Sequence, residues 1–416
     1  MRPFLCCFFL APMAAQVAGP SLGYEPNRGE FPAEIRFVRR TGFGSYFLTR
    51  DGVQFRPGFG VQILNVPPGV EPVGDAPGSI SVNDYRGNDP ARWGASRLFE
   101  NVRLPDLGNG ASAVFSVVAD PAPGIALRLQ RISVDFPAGT EPGRFSFRVF
   151  HDGMMMPQGP ESLWFVGGSI PGVFALTARA SQGGERLDAF LEPGVNGIGV
   201  RITGGDRVRG IRLDLDFPNF EIGSRRPDAG TPAPDGGNFT VEVEENARVA
   251  DRLDTNLLVS RRDAQGRLRW LTRFGGGLAE AAGRFLLAGD LLVVAGAAES
   301  TDLPVTAGGR AKNPSRGDAF LAAFDASTGV LRQSTYAGVT AQLPPGAMAA
   351  NRAGDIAAGG RTDDDRGYLL RWQPGTNRLV FVTALGERVW DVVWENEEAL
   401  LVAGAAPLAA GFFLNI

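Results

Sequence analysis

The chain of 416 residues is nearly without histidine, cysteine and lysine: His151 stands alone, Cys6 and Cys7 are the only thiols, and Lys312 is the only lysine. Each shortage excludes a chemistry. Acyl-transfer triads need an imidazole beside the nucleophile. The single one here, in FRVFHDGMMM, reads as a surface or structural residue, and no Gly-x-Ser-x-Gly elbow accompanies it. Zinc and iron sites of the usual His/Cys kind fall on the same ground. With both cysteines inside the first seven residues, a mature chain has no disulfide and must rely on packing and hydrogen bonds. Almost all basic residues are arginine, read here as a genome-wide codon bias. Net charge is −4 with no basic face, so the electrostatic footprint of nucleic-acid binding is missing.

Hydrophobic residues make up 44% and charged residues 21%, which excludes a disordered or collagen-like chain. The 56 glycines and 30 prolines point to a turn-rich, all-β protein. At the start, MRPFLCCFFLAPMAAQVAG joins a basic Arg2 to an apolar run from Phe4 to Pro12 and then to small residues. The run is about half the roughly 20 residues that a membrane anchor needs. Residues 1–18 are therefore expected to be a secretory signal cut between Ala14 and Ala18, and no later segment is expected to span a bilayer. The expected location is outside the cell or at the cell envelope.

Residues 19–223 are expected to form one β domain. Ile35, Phe37, Tyr46, Leu48, Val53 and Phe55 mark short strands between glycine turns, and 115–132 reads as two strands broken by Pro121 and Pro123. DYRGNDPARW at 84–93 reads as a polar turn, and 198–217 as a continuation of the sheet. GSRRPDAGTPAPDGGN has no apolar periodicity, so 224–238 is expected to be a linker.

Beyond it, 239–416 repeats. NLLVSRRDAQGRLRWLTRFGG from Asn256, AFLAAFDASTGVLRQSTYAG from Ala319 and YLLRWQPGTNRLVFVTALG from Tyr368 superpose as hairpins. DLLVVAGAA from Asp290, DIAAGG from Asp355 and ALLVAGAA from Ala399 recur as a second element. A repeat of roughly 45 residues with four short strands is the sequence sign of a propeller blade. Residues 251–416 have room for about three and a half blades, an incomplete ring. Gly411–Ile416 aligns with the start of the hairpin strands, so the last blade is expected to have its third strand and no fourth. That apolar strand is expected to be covered by a segment of the amino-terminal half or by another molecule, which includes self-association.

These features resemble the exported bacterial proteins carrying seven-bladed β-propeller (SBBP) repeats. The likeness rests on Ser300-Thr301-Asp302-Leu303-Pro304 and Ser334-Thr335-Tyr336 in the repeats. In the amino-terminal half it rests on Pro26, Asn27 and Gly29, then Gly87-Asn88-Asp89-Pro90, Trp93 and the Val117 to Leu129 segment. The resemblance implies a β-sandwich-like amino-terminal domain followed by an incomplete propeller of about three to four blades. It implies no mechanism.

Thr362-Asp363-Asp364-Asp365 lacks the alternating spacing of a calcium loop, so a solvated turn is favoured. Asp214 and Asp216 share a strand face; a glycosidase uses two carboxylates, but an exposed polar face is the favoured reading. Met154, Met155 and Met156 cannot converge on copper from one extended segment and are read as packing. Ala323 to Gly329 resembles the docking repeat of quinoprotein propellers, with Gln333 where its tryptophan should be. Trp270 fits better in the preceding copy, where the turn is one residue shorter. No catalytic, cofactor-binding or metal residue is assigned.

The expected function is that of an exported, non-enzymatic protein presenting a binding surface, with a protein or glycan as its partner. The alternatives are a propeller enzyme or quinoprotein-like cofactor protein acting on polysaccharide or alcohols, and an envelope-assembly scaffold. Export should leave a thiol-free chain, so mass spectrometry of the secreted protein after treatment with a thiol reagent should find no adduct. A labelled mature chain would contradict the reading.

Overall fold

A computed structural model describes residues 23–41, 44–56, 58–108, 110–119, 128–139, 145–151, 154–157, 159, 161–166, 173–194, 197–205, 209–218, 230–245, 255–311, 317–341, 344–385, 388–405 and 411–415. The expected signal, Lys312, Pro121, Pro123 and residues 224–229 lie outside the described residues. The fold is all-β, in several sheets of which none closes on itself. No helix among the described residues is long and apolar enough to cross a membrane. The chain divides into two compact units, Met1–Gly78 with Leu98–Arg225, and Ser79–Arg97 with Arg226–Ile416.

The first unit is two antiparallel ladders around one core. One ladder runs Glu25–Pro26, Ile35–Thr41, Gly44–Thr49, Gly52–Arg56, Phe59–Ile63, Ser146–His151, Gly197–Thr203 and Glu185–Gly194. The other begins in Gly94–Leu104 and continues through Ser112–Ala119, Arg128–Phe136, Ile211–Pro218, Val173–Gln182, Ser162–Val166 and Met154–Pro157. Period-two alternation sends one side of each strand inward. Val53, Phe55, Phe59, Val61 and Phe147 from the first ladder meet Phe115, Ile132, Val134, Leu213, Leu215 and Phe165 from the second in a single cluster. Burial of each such side chain contributes about 1.5–3 kcal/mol.

The second unit is a row of meanders. Its first sheet holds Thr231–Pro232, Asn238–Glu245, Thr255–Arg262 and Leu268–Gly275. The second holds Glu280–Ala288, Leu291–Ala298, Asp318–Asp325 and Leu331–Thr340. The third holds Ala347–Ala350, Ile356–Arg361, Gly367–Gln373 and Arg378–Leu385. The last holds Val389–Trp394, Leu400–Ala405 and Gly411–Asn415.

Consecutive sheets pack through separate cores because their strands are apolar on both faces. Leu292, Val294, Phe320, Ala322 and Phe324 face the first sheet's Leu257, Val259, Trp270 and Phe274. The intervening Val293, Ala295, Ala319, Leu321 and Ala323 face Tyr368, Leu370 and Trp372 of the third. Small alanines on one side receive large rings from the other, as close packing demands. Ala357 and Leu369 then meet Val389, Val392, Leu400 and Val402 of the last sheet.

One expectation changes here. The segment read as a polar turn at 84–93 begins inside the long strand Val73–Arg86. Its residues Ser81 to Arg86 run parallel to Trp270 to Gly275, adding a fifth strand to the first sheet. Asn83 is buried there and donates to Thr272 Oγ1 at 3.1 Å and to the Thr328 carbonyl at 3.0 Å. The amino-terminal half thus contributes a strand at the first sheet, whereas Gly411–Asn415 pairs with Leu400–Ala405 as its only strand neighbour among the described residues.

Asn83→Ala should remove one buried and one partly buried hydrogen bond, a loss of about 1–3 kcal/mol. In a unit of this size that is a fall of roughly 3–9 °C in melting temperature, measurable by calorimetry. An unchanged melt would mean that the 81–86 pairing does not form.

Candidate functional site

The residues singled out in the sequence are dispersed, and most are occupied by the fold. His151 ends the strand Ser146–His151, its ring edge-on to buried Phe165 with centroids 5.1 Å apart. Asp216 is not on an exposed face as expected: it is 1% exposed. Arg131 donates to its two oxygens at 2.6 and 2.8 Å, and Arg179 at 2.5 Å. Asp214 accepts from Ser133 Oγ at 2.6 Å and from Arg212 Nε at 3.2 Å. The pair forms a charge ladder over three neighbouring strands, with arginines where a sugar would have to sit. Alternation gave the shared face but could not show that long arginine stems would cover it.

Met154 and Met155 are 62% and 43% exposed, which corrects the packing assignment. They lie on Met154–Pro157, whose only described neighbour is Ser162–Val166, so the inward alternation has nothing to pack on. Thr362 to Asp365 closes the hairpin between Ile356–Arg361 and Gly367–Gln373. Thr362 donates to Asp364 at 2.6 Å, Arg366 reaches Asp364 at 2.9 Å, and Arg361 pairs with Asp365. Among the described residues no group of three or more His, Cys, Asp or Glu side chains could hold a metal.

The Ala323 to Gly329 segment is a turn that docks one sheet on another. Asp325 Oδ1 accepts from the backbone and hydroxyl of Ser327 and of Thr328, at 2.6–3.0 Å, and Oδ2 accepts from Arg332 at 2.6 Å. Gly329, at φ +73°, lies so close under Trp270 that a Cβ would meet the ring at 2.4 Å. Trp270 Nε1 donates to the Ala326 carbonyl at 3.1 Å and Thr272 Oγ1 to the Gly329 carbonyl at 2.6 Å. The repeat signature is likewise structural. Tyr336 Oη donates to the Ser300 carbonyl at 2.8 Å and accepts from Leu303 N at 3.0 Å, while Asp302 Oδ1 accepts from Gly277 N at 2.9 Å. In the first unit, Asn27 organises its loop: Oδ1 accepts from Gly29 and Phe31, and Nδ2 reaches the Phe31 and Ile35 carbonyls.

What remains is a cleft of about 330 Å³ on the outer face of the first unit, lined by Glu34, Arg36, Thr49, Arg50, Asp51, Gln54, Gln62 and Phe150. Five strands supply its lining, Ile35–Thr41 and Gly44–Thr49 giving Arg36 and Thr49 and three more giving Gln54, Gln62 and Phe150. Val53 with Phe55, Phe59 with Val61, and Phe147 turn inward, so Gln54, Gln62 and Phe150 point outward. Cross-strand register sets Gln54, Gly60 and Phe150 in one row and Gly52, Gln62 and Arg148 in the next. Gly60 leaves the first row without a side chain between the amide and the ring. Phe150 is 42% exposed, with the Arg148 guanidinium 5.9 Å from its centroid.

The cleft's polar groups are held in place. Asp51 accepts from Thr49 Oγ1 at 3.0 Å and from Gln62 Nε2 at 2.8 Å. Arg36 and Glu71 pair through two bonds of 2.6 and 3.1 Å, which hold the Glu71 carboxyl below its usual range. The side chains of Glu34 and Gln54 make no hydrogen bond among the described residues. Sequence reasoning missed this place. The one available signal was Phe150, an aromatic out of phase with Phe145 and Phe147.

A second, more polar hollow of about 430 Å³ lies beside the Asp325 turn. Its charges satisfy one another: Arg261 pairs with Asp235 at 2.8 Å and Arg267 with Asp263 at 2.9 Å. Comparison of the chain with protein-family models and with curated proteins finds no match.

The Asp325 turn titrates in a defined direction. Its hydrogen bond from Ser327, with those from Arg332 and Thr328, holds the carboxyl far below its ordinary value of 3.8. A group so depressed stabilises the fold fully above that value, and the contribution is lost as pH falls beneath it. Asp325→Ala should lower the melting temperature by roughly 5 °C at pH 7, and the gap from the unaltered protein should narrow as pH falls below about 4. A gap independent of pH would contradict this role.

Proposed function

We propose that this is an exported, non-enzymatic binding protein of the cell envelope or the extracellular space. In this reading a β-sandwich-like amino-terminal domain displays the ligand-binding cleft, and SBBP-type repeats form an incomplete propeller. The observation that carries the proposal is the cleft around Phe150. It joins an exposed ring to Gln54, whose side chain makes no hydrogen bond among the described residues, and to Glu34, which interacts with Arg36 by charge alone. Sites that recognise small ligands combine these two elements, an apolar platform and a few fixed polar groups. The remaining candidates have structural work: Asp216 lies under two arginines, Asp325 caps a turn, and Asp364 is tied to Thr362 and Arg366.

The propeller reading is supported by the succession of meanders packed one on the next, the second and third of them apolar on both faces. It is also supported by the inter-sheet docking of Gly329 under Trp270 and of Asn377. Asn377 Nδ2 reaches Thr306 Oγ1 and the Ser334 carbonyl, both at 3.0 Å, across the next junction.

Purified protein added to washed envelope material should be retained saturably and displaced by an excess of unlabelled protein. It should turn over neither chromogenic glycosides nor alcohols in the presence of an electron acceptor. Retention that does not saturate, or steady turnover by the purified protein, would overturn the proposal.

A further inference from the structure

We propose that the ligand of the Phe150 cleft is a neutral glycan, bound with a pyranose ring on Phe150 and its hydroxyl groups on Gln54, Gln62, Asp51 and Glu34. The inference rests on the binding reading above and deepens it. Three observations choose the class.

The first is the pairing of ring and amides. The C–H face of a pyranose is an apolar surface that packs on an aromatic face, while its rim presents hydroxyls that both donate and accept. Phe150 gives a platform that is 42% exposed, and Gly60, directly opposite on the neighbouring strand, leaves the space beside it open to Gln54. An amide offers a donor and an acceptor, and a carboxylate offers acceptors, which is the set a vicinal diol needs. Gln62 spends one donor on Asp51 at 2.8 Å and keeps its carbonyl oxygen. That bond also holds the Asp51 carboxylate in place, with Thr49 Oγ1 at 3.0 Å on its other oxygen.

The second is charge. Around the cleft Glu34, Asp51 and Glu71 stand against Arg36, Arg50 and Arg148, and Arg36 is already bound by Glu71 through two hydrogen bonds. Arg50 is turned to the carbonyls of Val66 and Pro67, at 3.4 and 2.7 Å. Among the described residues no net positive field is left to attract a uronate or phosphate polymer, and no pair of free cations is left to clamp one. The third is size: about 330 Å³ lies at the lower end of small-ligand sites, suited to a short stretch of sugar and too confined for the face of a folded protein.

The test is affinity electrophoresis of the mature full-length protein in native gels containing amylose, laminarin, xylan or mannan, with alginate and polygalacturonate gels in parallel. At least one neutral polysaccharide should retard the protein. Phe150→Ala should weaken that retardation about tenfold and Gln54→Ala severalfold, both with unchanged melting temperature because both side chains are exposed. Retardation by the anionic gels alone would overturn the proposal, as would equal retardation of the Phe150→Ala protein. If no neutral gel retards the protein while it still binds washed envelope in a Phe150-dependent way, the glycan assignment fails and the binding reading stands. If envelope binding is absent as well, both fail.

Discussion

The second unit depends on sheets that are apolar on both faces. Every residue from Leu292 to Ala298, and from Asp318 to Asp325, is buried, so neither face of that sheet could meet water without losing the burial that stabilises it. The neighbours are therefore not accessories. Each sheet is the solvent-excluding cover of the next, as in repeat proteins whose units cannot bury a core alone. Turn chemistry follows from this requirement. The Asp325 and Asn377 turns reach back to the preceding sheet because two faces in register need their edges pinned, and Gly329 is glycine because Trp270 leaves no room for a Cβ.

The first unit solves burial differently, with one shared core between two ladders. The sheet faces turned away from that core carry the polar chemistry, both the buried, arginine-covered Asp216 and the Phe150 cleft. They differ in what the polar groups are doing. Around Asp216 the charges consume one another across adjacent strands. Around Phe150, Gly60 opens its row, and the Gln54 side chain is left without a hydrogen bond among the described residues.

Much of the architecture was legible because it is local. Alternation at Val53 and Phe55, or at Phe320, Ala322 and Phe324, names the strand and its buried face. The recurrence of the Asp290, Asp355 and Ala399 elements sets the order of the meanders. Relations between distant segments were not legible. Nothing in Ser81 to Arg86 announces a parallel partner at Trp270 to Gly275, because four of its six residues are polar and its neighbour lies far along the chain. The cleft was hidden for a like reason: Gln54 and Phe150 meet only through Gly60, from strands that periodicity treats separately. Asp216 was misread because alternation fixes a side chain's direction and says nothing about what lies over it.

The fifth strand of the first sheet has a consequence in time. Asn83 and Thr272 are 189 residues apart, and a ribosome adding about 5–20 residues per second needs roughly 10–40 s to cover that distance. Throughout that interval Ser81 to Arg86 is available before its hydrogen-bonding partner exists. The polar composition that disguised it as a turn is what lets such a segment wait in water. An apolar strand in the same place would seek the nearest exposed edge, on its own chain or on another.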